Sequence, residues 1–242
     1  MSVNINGNRF LASLSVTDYP LLHRHLRPFD MMPGAVLVEA GGDIDRVYFP
    51  HSGIISIVVR LTDGQTVEAA MIGHDGVFGC TSALSGLTAT STAMIQMAGR
   101  ASTLESRFLR AEALRSPLLL DMIIRHEQMV YGQALQSVAC NAVHTIRSRL
   151  PRWLLHARDL AGSGKLTFSQ DLLAQMLGTH RNSVSIVANE LLQSGLIHYS
   201  RGHIQILDPV GLREKCCECY KLQKNRPEML INKIKLDCLE MQ

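Results

Sequence analysis

Between Thr179 and Ser185 the chain reads THRNSVS, a run of hydrogen-bonding side chains short enough to occupy the start of one helix. Arg181 carries a planar guanidinium that can bond guanine O6 and N7 together, and the Asn182 amide can grip adenine in the same two-point way. Thr179, His180, Ser183 and Ser185 surround them; Thr167 and Ser169 lie upstream, and Ser200, Arg201 and His203 downstream. Hydroxyls, imidazoles and guanidinia of this kind suit phosphate oxygens. This is recognition chemistry, in which no covalent bond is made or broken.

Sulfur and imidazole are the other reactive groups. Cys216-Cys217-x-Cys219 is the one dense cysteine group, with Cys238 beyond it. No metal set is expected from this group. Lys215 and Lys221 can lower these thiol pKa values and make them oxidisable; the alternative is a helix packing part of Glu214–Leu222 on its neighbours. Cys80 and Cys140 stand alone and read as packing residues. The ten histidines offer no H-x-H plus Glu set. No nucleophile elbow, phosphate-binding loop or dinucleotide fingerprint is present, so no enzymatic activity is expected.

The elements that would present THRNSVS follow from the flanking residues. Thr167 and Gln170 have capping-box spacing, and Leu172, Leu173, Met176 and Leu177 give the helix they open an inward face. Gly178 falls where a turn needs a left-handed residue. Thr179 is the expected cap of the next helix, in which Val184, Val187, Leu191 and Leu192 face the core and Gly195 ends the run. His198–Leu207, with Arg201-Gly202 at its tip, reads as a hairpin. Helix, tight turn, helix and hairpin together are the parts that set one helix in a DNA major groove and a wing on the flanking phosphates.

Upstream, residues 34–104 break into short β-rich runs: Val36–Glu39, Val47–Phe49, Ile54–Leu61, Thr66–Met71, Ala93–Met97 and Ala101–Leu104. Gly41-Gly42, Pro50–Gly53 and Asp63-Gly64 separate them. A short helix around Tyr19–Leu26 precedes them, and a double-sheet jelly roll is the expected architecture. From about Leu118 a long helix is apolar on more than one stripe: Leu119, Ile123 and Val130 on one side, Leu120, Ile124, Tyr131 and Val138 on another. One side can cover the β domain and the other can pair with a second copy; burial wholly inside one monomer is the alternative. A second helix, Ile146–Leu160, contains Pro151 and ends at Ala161–Gly164.

The fold class is therefore α+β. The expected domains are 1–115 for sensing, 116–144 for a dimerisation helix and hinge, 145–215 for a winged helix-turn-helix and 216–242 for an extension. The chain has 242 residues and a net charge of +3. Residues 145–242 carry 14 Lys and Arg against 9 Asp and Glu, whereas residues 1–144 carry 10 against 12. Such a split fits double-stranded DNA on the C-terminal part. No apolar run is long enough for a membrane span, and MSVNINGNRF has no signal-peptide pattern. A cytoplasmic location without membrane association is the default expectation.

These residues, behind a β-rich domain and a long helix, resemble the Crp/Fnr family of bacterial transcription regulators. The resemblance spans almost the whole chain and is strongest over Leu166–Leu207. It implies a cyclic-nucleotide-binding-like jelly roll, a homodimer on an inverted repeat, and RNA polymerase as a partner if the protein is an activator. In the family an Arg-Glu pair and a later Arg read the bases; here Arg181 matches the first, while Asn182 and Ile186 stand at the other two positions. A half-site unlike the family's TGTGA or TTGAT types is expected. The resemblance places an effector pocket at Gly73, His74, Asp75 and Gly76, at Thr90 and Ser91, and at Ala134 and Leu135. His74 replaces the ribose-binding glutamate, no arginine lies in Ala89–Ala93, and Ala134-Leu135 replaces a Thr-Ser pair. Cyclic AMP is therefore not expected, because a partly buried phosphate needs a charge-assisted partner; an unidentified small molecule remains open. No cysteine precedes Cys80, so an iron–sulfur cluster is not expected either, and no cofactor is predicted. The competing class is a jelly-roll ligand-binding protein or enzyme with a helical interaction tail.

Overall fold

A computed structural model describes residues 7–224. Two short helices, α1 (Arg9–Ala12) and α2 (Asp18–His23), lead into β1 (Arg27–Met31), β2 (Val36–Val38), β3 (Arg46–Pro50), β4 (Ile54–Arg60) and β5 (Thr66–Ile72). Helix α3 (Cys80–Ser85) precedes β6 (Thr92–Met97) and β7 (Gly99–Glu105), and α4 (Ser106–Ala113) closes the domain. The strands form two antiparallel sheets, one ordered β1-β7-β3 and the other β2-β6-β4-β5. All six strands expected from sequence are present within a residue or two. β1 is additional: its RPFDM sequence contains Pro28, which an edge strand tolerates because its free side needs no donor.

Both faces of the four-stranded sheet are buried. Ile55 and Ile57 turn inward to meet Met31, Tyr48 and Ala101 of the opposite sheet. Ile54 and Val58, alternating with them, turn outward into a second core with Trp153, Leu154 and Leu177. The β domain and the C-terminal domain therefore share one continuous apolar core.

The long helix α5 spans Pro117–Val143, and Ser116 caps it by accepting from the Leu119 N–H, with Pro117 in its first turn. Leu119 and Ile123 are buried on the β domain. Ile124, Tyr131, Leu135 and Val138 are exposed along one stripe. Gln133 fixes the helix to β5 by bonding both the N–H and the carbonyl of Met71. Helix α6 (Ile146–Ala161) includes Pro151 and is almost entirely buried. Next come β8 (Lys165–Thr167), α7 (Gln170–Met176), α8 (Arg181–Gln193), β9 (Ile197–Ser200), β10 (His203–Ile206) and α9 (Pro209–Glu214). The small sheet is ordered β8-β10-β9. Of the extension expected at 216–242, residues 225–242 and with them Cys238 lie outside the described residues.

Candidate nucleic-acid interface

Helix α7 begins two residues later than its sequence suggests. Ser169, not Thr167, is the cap, accepting from the Leu172 N–H at 3.1 Å. Thr167 belongs to β8, where it pairs with His203 of the wing. The third strand was hidden because KLT is short and begins with lysine. At the other end the Gly178 N–H bonds the Gln175 carbonyl at 3.1 Å and the Thr179 N–H bonds the Ala174 carbonyl at 2.9 Å. This is a Schellman closure, with Gly178 at φ +55° as its left-handed residue. Thr179 is thus used in ending α7 and does not cap α8. His180 takes the cap position and makes no side-chain cap bond, so the first N–H groups of α8 stay open to an anion.

The closure repeats at the end of α8, where Gly195 and Leu196 bond Leu192 and Leu191. Val184, Val187 and Leu191 are buried, but Leu192, expected in the core, is exposed. Arg147 of α6 grips Glu190 of α8 with two bonds, at 2.7 and 3.1 Å, which fixes the helix from behind. These two residues lie 43 positions apart, so sequence reading had no signal for them.

The solvent face of α8 carries Arg181, Asn182 and Ile186, of which Ile186 is 56% exposed. Arg181 makes only a surface contact with Asp171, Nε to Oδ1 at 3.4 Å. Ser183 is half-buried, and Ser185 is half-buried and bonded to Gln170, tying α8 to α7. The wing places Ser200, Arg201 and His203 at its exposed end. Arg201 at φ +47° and Gly202 at φ +80° form the two-residue turn that a tight hairpin requires. The structure brings Thr167, Ser169 and the α8 residues into one small domain with that wing. Its turn abuts the β domain: a Cβ on Gly178 would lie 3.2 Å from Val67 Cγ2 of β5.

The effector positions named from sequence do not share one site. A cavity of ≈ 350 Å³ lies between the β domain and α5, and Thr90 and Ser91 line it. Thr81, Ser82, Glu127 and Tyr131 line it as well, and among the described residues no lysine or arginine does. Burial raises the Glu127 pKa, opposed by hydrogen bonds from Thr81. Ala134 and Leu135 lie further along α5, outside its lining. Gly73 and His74 are elsewhere, docked on the end of α6. The His74 ring Nδ1 bonds the Leu160 carbonyl at 2.6 Å, and a side chain on Gly73 would collide with that carbonyl. Asp75 and Gly76 border a smaller cavity, and Gly76 lies so close to His126 that a Cβ would be 2.6 Å from its Nε2. These glycines serve close packing between domains.

The cysteines also differ from expectation. Cys140 is not isolated: its sulfur lies 3.6 Å from that of Cys217. Nor do Lys215 and Lys221 lower the neighbouring thiols. Burial pushes Cys216 up to about 12, and Cys217 and Cys219 are raised too, the first by the adjacent Cys140 and the second by burial. Cys140 is the thiol drawn down, chiefly by the hydrogen bond from Cys217.

Known proteins fit this arrangement. The family model for a cyclic nucleotide-binding domain matches residues 29–114, and that for a Crp-like helix-turn-helix domain matches residues 148–215; together they span well over half of the chain. The transcriptional regulator SdrP of Thermus thermophilus is 27% identical over 192 residues, covering 75% of this chain and 90% of that protein. FixK2 of Bradyrhizobium japonicum superposes with a TM-score of 0.68 at 17% identity, over 79% of this chain and 98% of that one. A Crp/Fnr-family regulator from Thermus thermophilus gives 0.62 at 23% identity, over 78% and 97%. The solved structures share the fold; the sequence matches carry the kinship, and by them the chain belongs to the Crp/Fnr family of DNA-binding transcription regulators.

Proposed function

We propose that two copies of this chain read an inverted repeat in double-stranded DNA, with α8 in the major groove and the β9–β10 wing on the backbone. The observation that carries this reading is the exposed start of α8, where Arg181, Asn182 and Ile186 stand together on a helix that follows the closed turn of α7 and is closed at its own C-terminus. Arg181 bonds guanine, Asn182 bonds adenine, and Ile186 packs on a thymine methyl. Thr167, Ser169, Thr179, His180, Ser183, Ser200, Arg201 and His203 hold phosphates; Ser185 positions α8 through Gln170. The exposed stripe Ile124, Tyr131, Leu135 and Val138 supports pairing of α5 with its copy, since so contiguous an apolar strip seldom faces water. The protein acts by binding rather than catalysis, in the cytoplasm where its DNA lies, and RNA polymerase is a further partner if it activates. A mobility-shift titration at rising salt tests the DNA interface. Affinity should fall by about 10³–10⁵ between 50 and 200 mM salt if 6–10 phosphates are contacted; a flat salt dependence would contradict it.

We further propose that the ≈ 350 Å³ cavity takes an uncharged or cationic small molecule. Its hydroxyls and the Glu127 carboxyl offer hydrogen bonds, but nothing in the lining balances a phosphate. Calorimetry with cyclic AMP should give no binding heat up to millimolar ligand. Micromolar affinity would overturn this reading of the cavity.

A further inference from the structure

Where α5 ends, four metal-binding side chains from two distant parts of the chain converge. Cys140 lies in the last turn of α5 and His144 caps it; Cys217 and Cys219 follow α9. The Cys140 and Cys217 sulfurs are 3.6 Å apart, as are the Cys219 sulfur and the His144 Nδ1, and all four ligand atoms lie within 4.8 Å of one another. Zinc–sulfur bonds of about 2.3 Å and zinc–nitrogen bonds of about 2.0 Å in a tetrahedron place neighbouring ligand atoms roughly 3.5–3.8 Å apart. The three thiols are buried and make up a cluster of their own, with no apolar side chain among its fully buried members. We propose that Cys140, His144, Cys217 and Cys219 form a closed Cys₃His site for a single zinc ion, which clamps the segment after the winged helix to the end of the long helix.

The surroundings are those of a metal site rather than of a packing cluster. The second ring nitrogen of His144, Nε2, lies 3.3 Å from the Glu218 carboxylate, which leaves Nδ1 as the unprotonated nitrogen turned to the sulfurs. The Gln136 amide donates to the Cys219 sulfur at 3.1 Å. Three thiolates and a neutral imidazole around Zn²⁺ leave one negative charge, and the buried guanidinia of Arg149 and Arg152 flank the group. Binding releases the thiol protons to solvent and needs no oxidant. Thiolate with imidazole in a closed tetrahedron suits zinc, and four protein ligands leave no open position, so the role is structural. An iron–sulfur cluster would spread its ligands over several irons, wider than these atoms stand. A Cys140–Cys217 disulfide would leave Cys219, His144 and the Glu218 contact without a purpose. The clamp spans the Thr145 junction between α5 and α6, and it does not depend on which DNA the protein reads.

The test uses the full chain, expressed with zinc in the medium, purified without oxygen in a phosphine reductant, desalted, and assayed by plasma mass spectrometry. About one zinc per chain is expected, falling to background in Cys219→Ser and in His144→Ala. Glu218→Gln, which keeps all four ligands, should lose zinc to a chelator with an affinity about 10–100-fold weaker. Cys216→Ser, outside the cluster, should retain it. Replacement by Co²⁺ should give the intense visible bands and thiolate charge transfer of a tetrahedral site. The proposal is overturned by background zinc in the folded wild type, by zinc unchanged in Cys219→Ser, by an intact mass two hydrogens lower from a disulfide, or by several irons with sulfide.

Discussion

Arg181→Ala is expected to lower affinity for the protein's operator by ~1–3 kcal/mol while changing affinity for random DNA much less. Little holds Arg181 in the free protein. Its side chain is largely in water, and its ion pair with Asp171 is an exposed contact at 3.4 Å that DNA can displace. The helix beneath it is held independently: Arg147 clasps Glu190, one Schellman closure ends α7 just before it, and a second closes its own C-terminus. Removing the guanidinium should therefore cost the base contact and leave the domain folded. Unchanged circular dichroism and melting temperature would confirm that separation. An equal loss on operator and random DNA would make Arg181 a phosphate contact instead.

The second large effect is a pH dependence at the seam between domains. Glu68 of β5 is buried beneath α6, where Trp153 Nε1 donates to its Oε1 at 2.6 Å and the Ser56 hydroxyl donates to its Oε2 at 2.5 Å. Burial raises its pKa to about 7; the bonds from Ser56 and Trp153 and the charge of Arg152 oppose the shift without cancelling it. Because the folded value lies above the unfolded 4.5, the folded chain binds the extra proton between those limits. Stability from this group is whole below about pH 4.5 and is lost as pH rises through 7, by on the order of 3 kcal/mol. His126 and His156, both lowered to about 4 by burial, act in the opposite sense. The effect must therefore be read as the difference between wild type and Glu68→Gln. That difference, from urea unfolding followed by fluorescence of Trp153, the chain's one tryptophan, should shift against the wild type between pH 5 and 8. Parallel pH profiles would show that Glu68 does not titrate in this range.

Much of this was legible in the sequence because the local signals agreed with the final packing. Gly178 and Gly195 mark helix ends that must be left-handed, Arg201-Gly202 marks a tight turn, and alternating residues in β4 mark a sheet. Elsewhere a partner distant in the chain overrides the local signal. Thr167 has a cap's spacing, but β10 recruits it into a strand, and Ser169 caps in its place. Gly73 and Gly76 have the look of a ligand loop, yet they are small because Leu160 and His126 press against them. The ≈ 350 Å³ cavity draws Glu127 and Tyr131 from α5 to face Thr81 and Thr90, a grouping that only the fold creates. Cys140 stands alone in the sequence because its partner lies 77 residues away. No spacing rule spans that distance.

The central claim is that α8 reads base sequence as one half of a symmetric pair. Selection from a randomised duplex library by the purified wild-type chain, with Arg181→Ala alongside, tests it most directly. The expected result is an inverted repeat whose half-sites lie about one helical turn apart, differ from TGTGA and TTGAT, and lose preference at one guanine in the variant. Enrichment of no sequence, or of the same sequence with the same strength by both proteins, would contradict it.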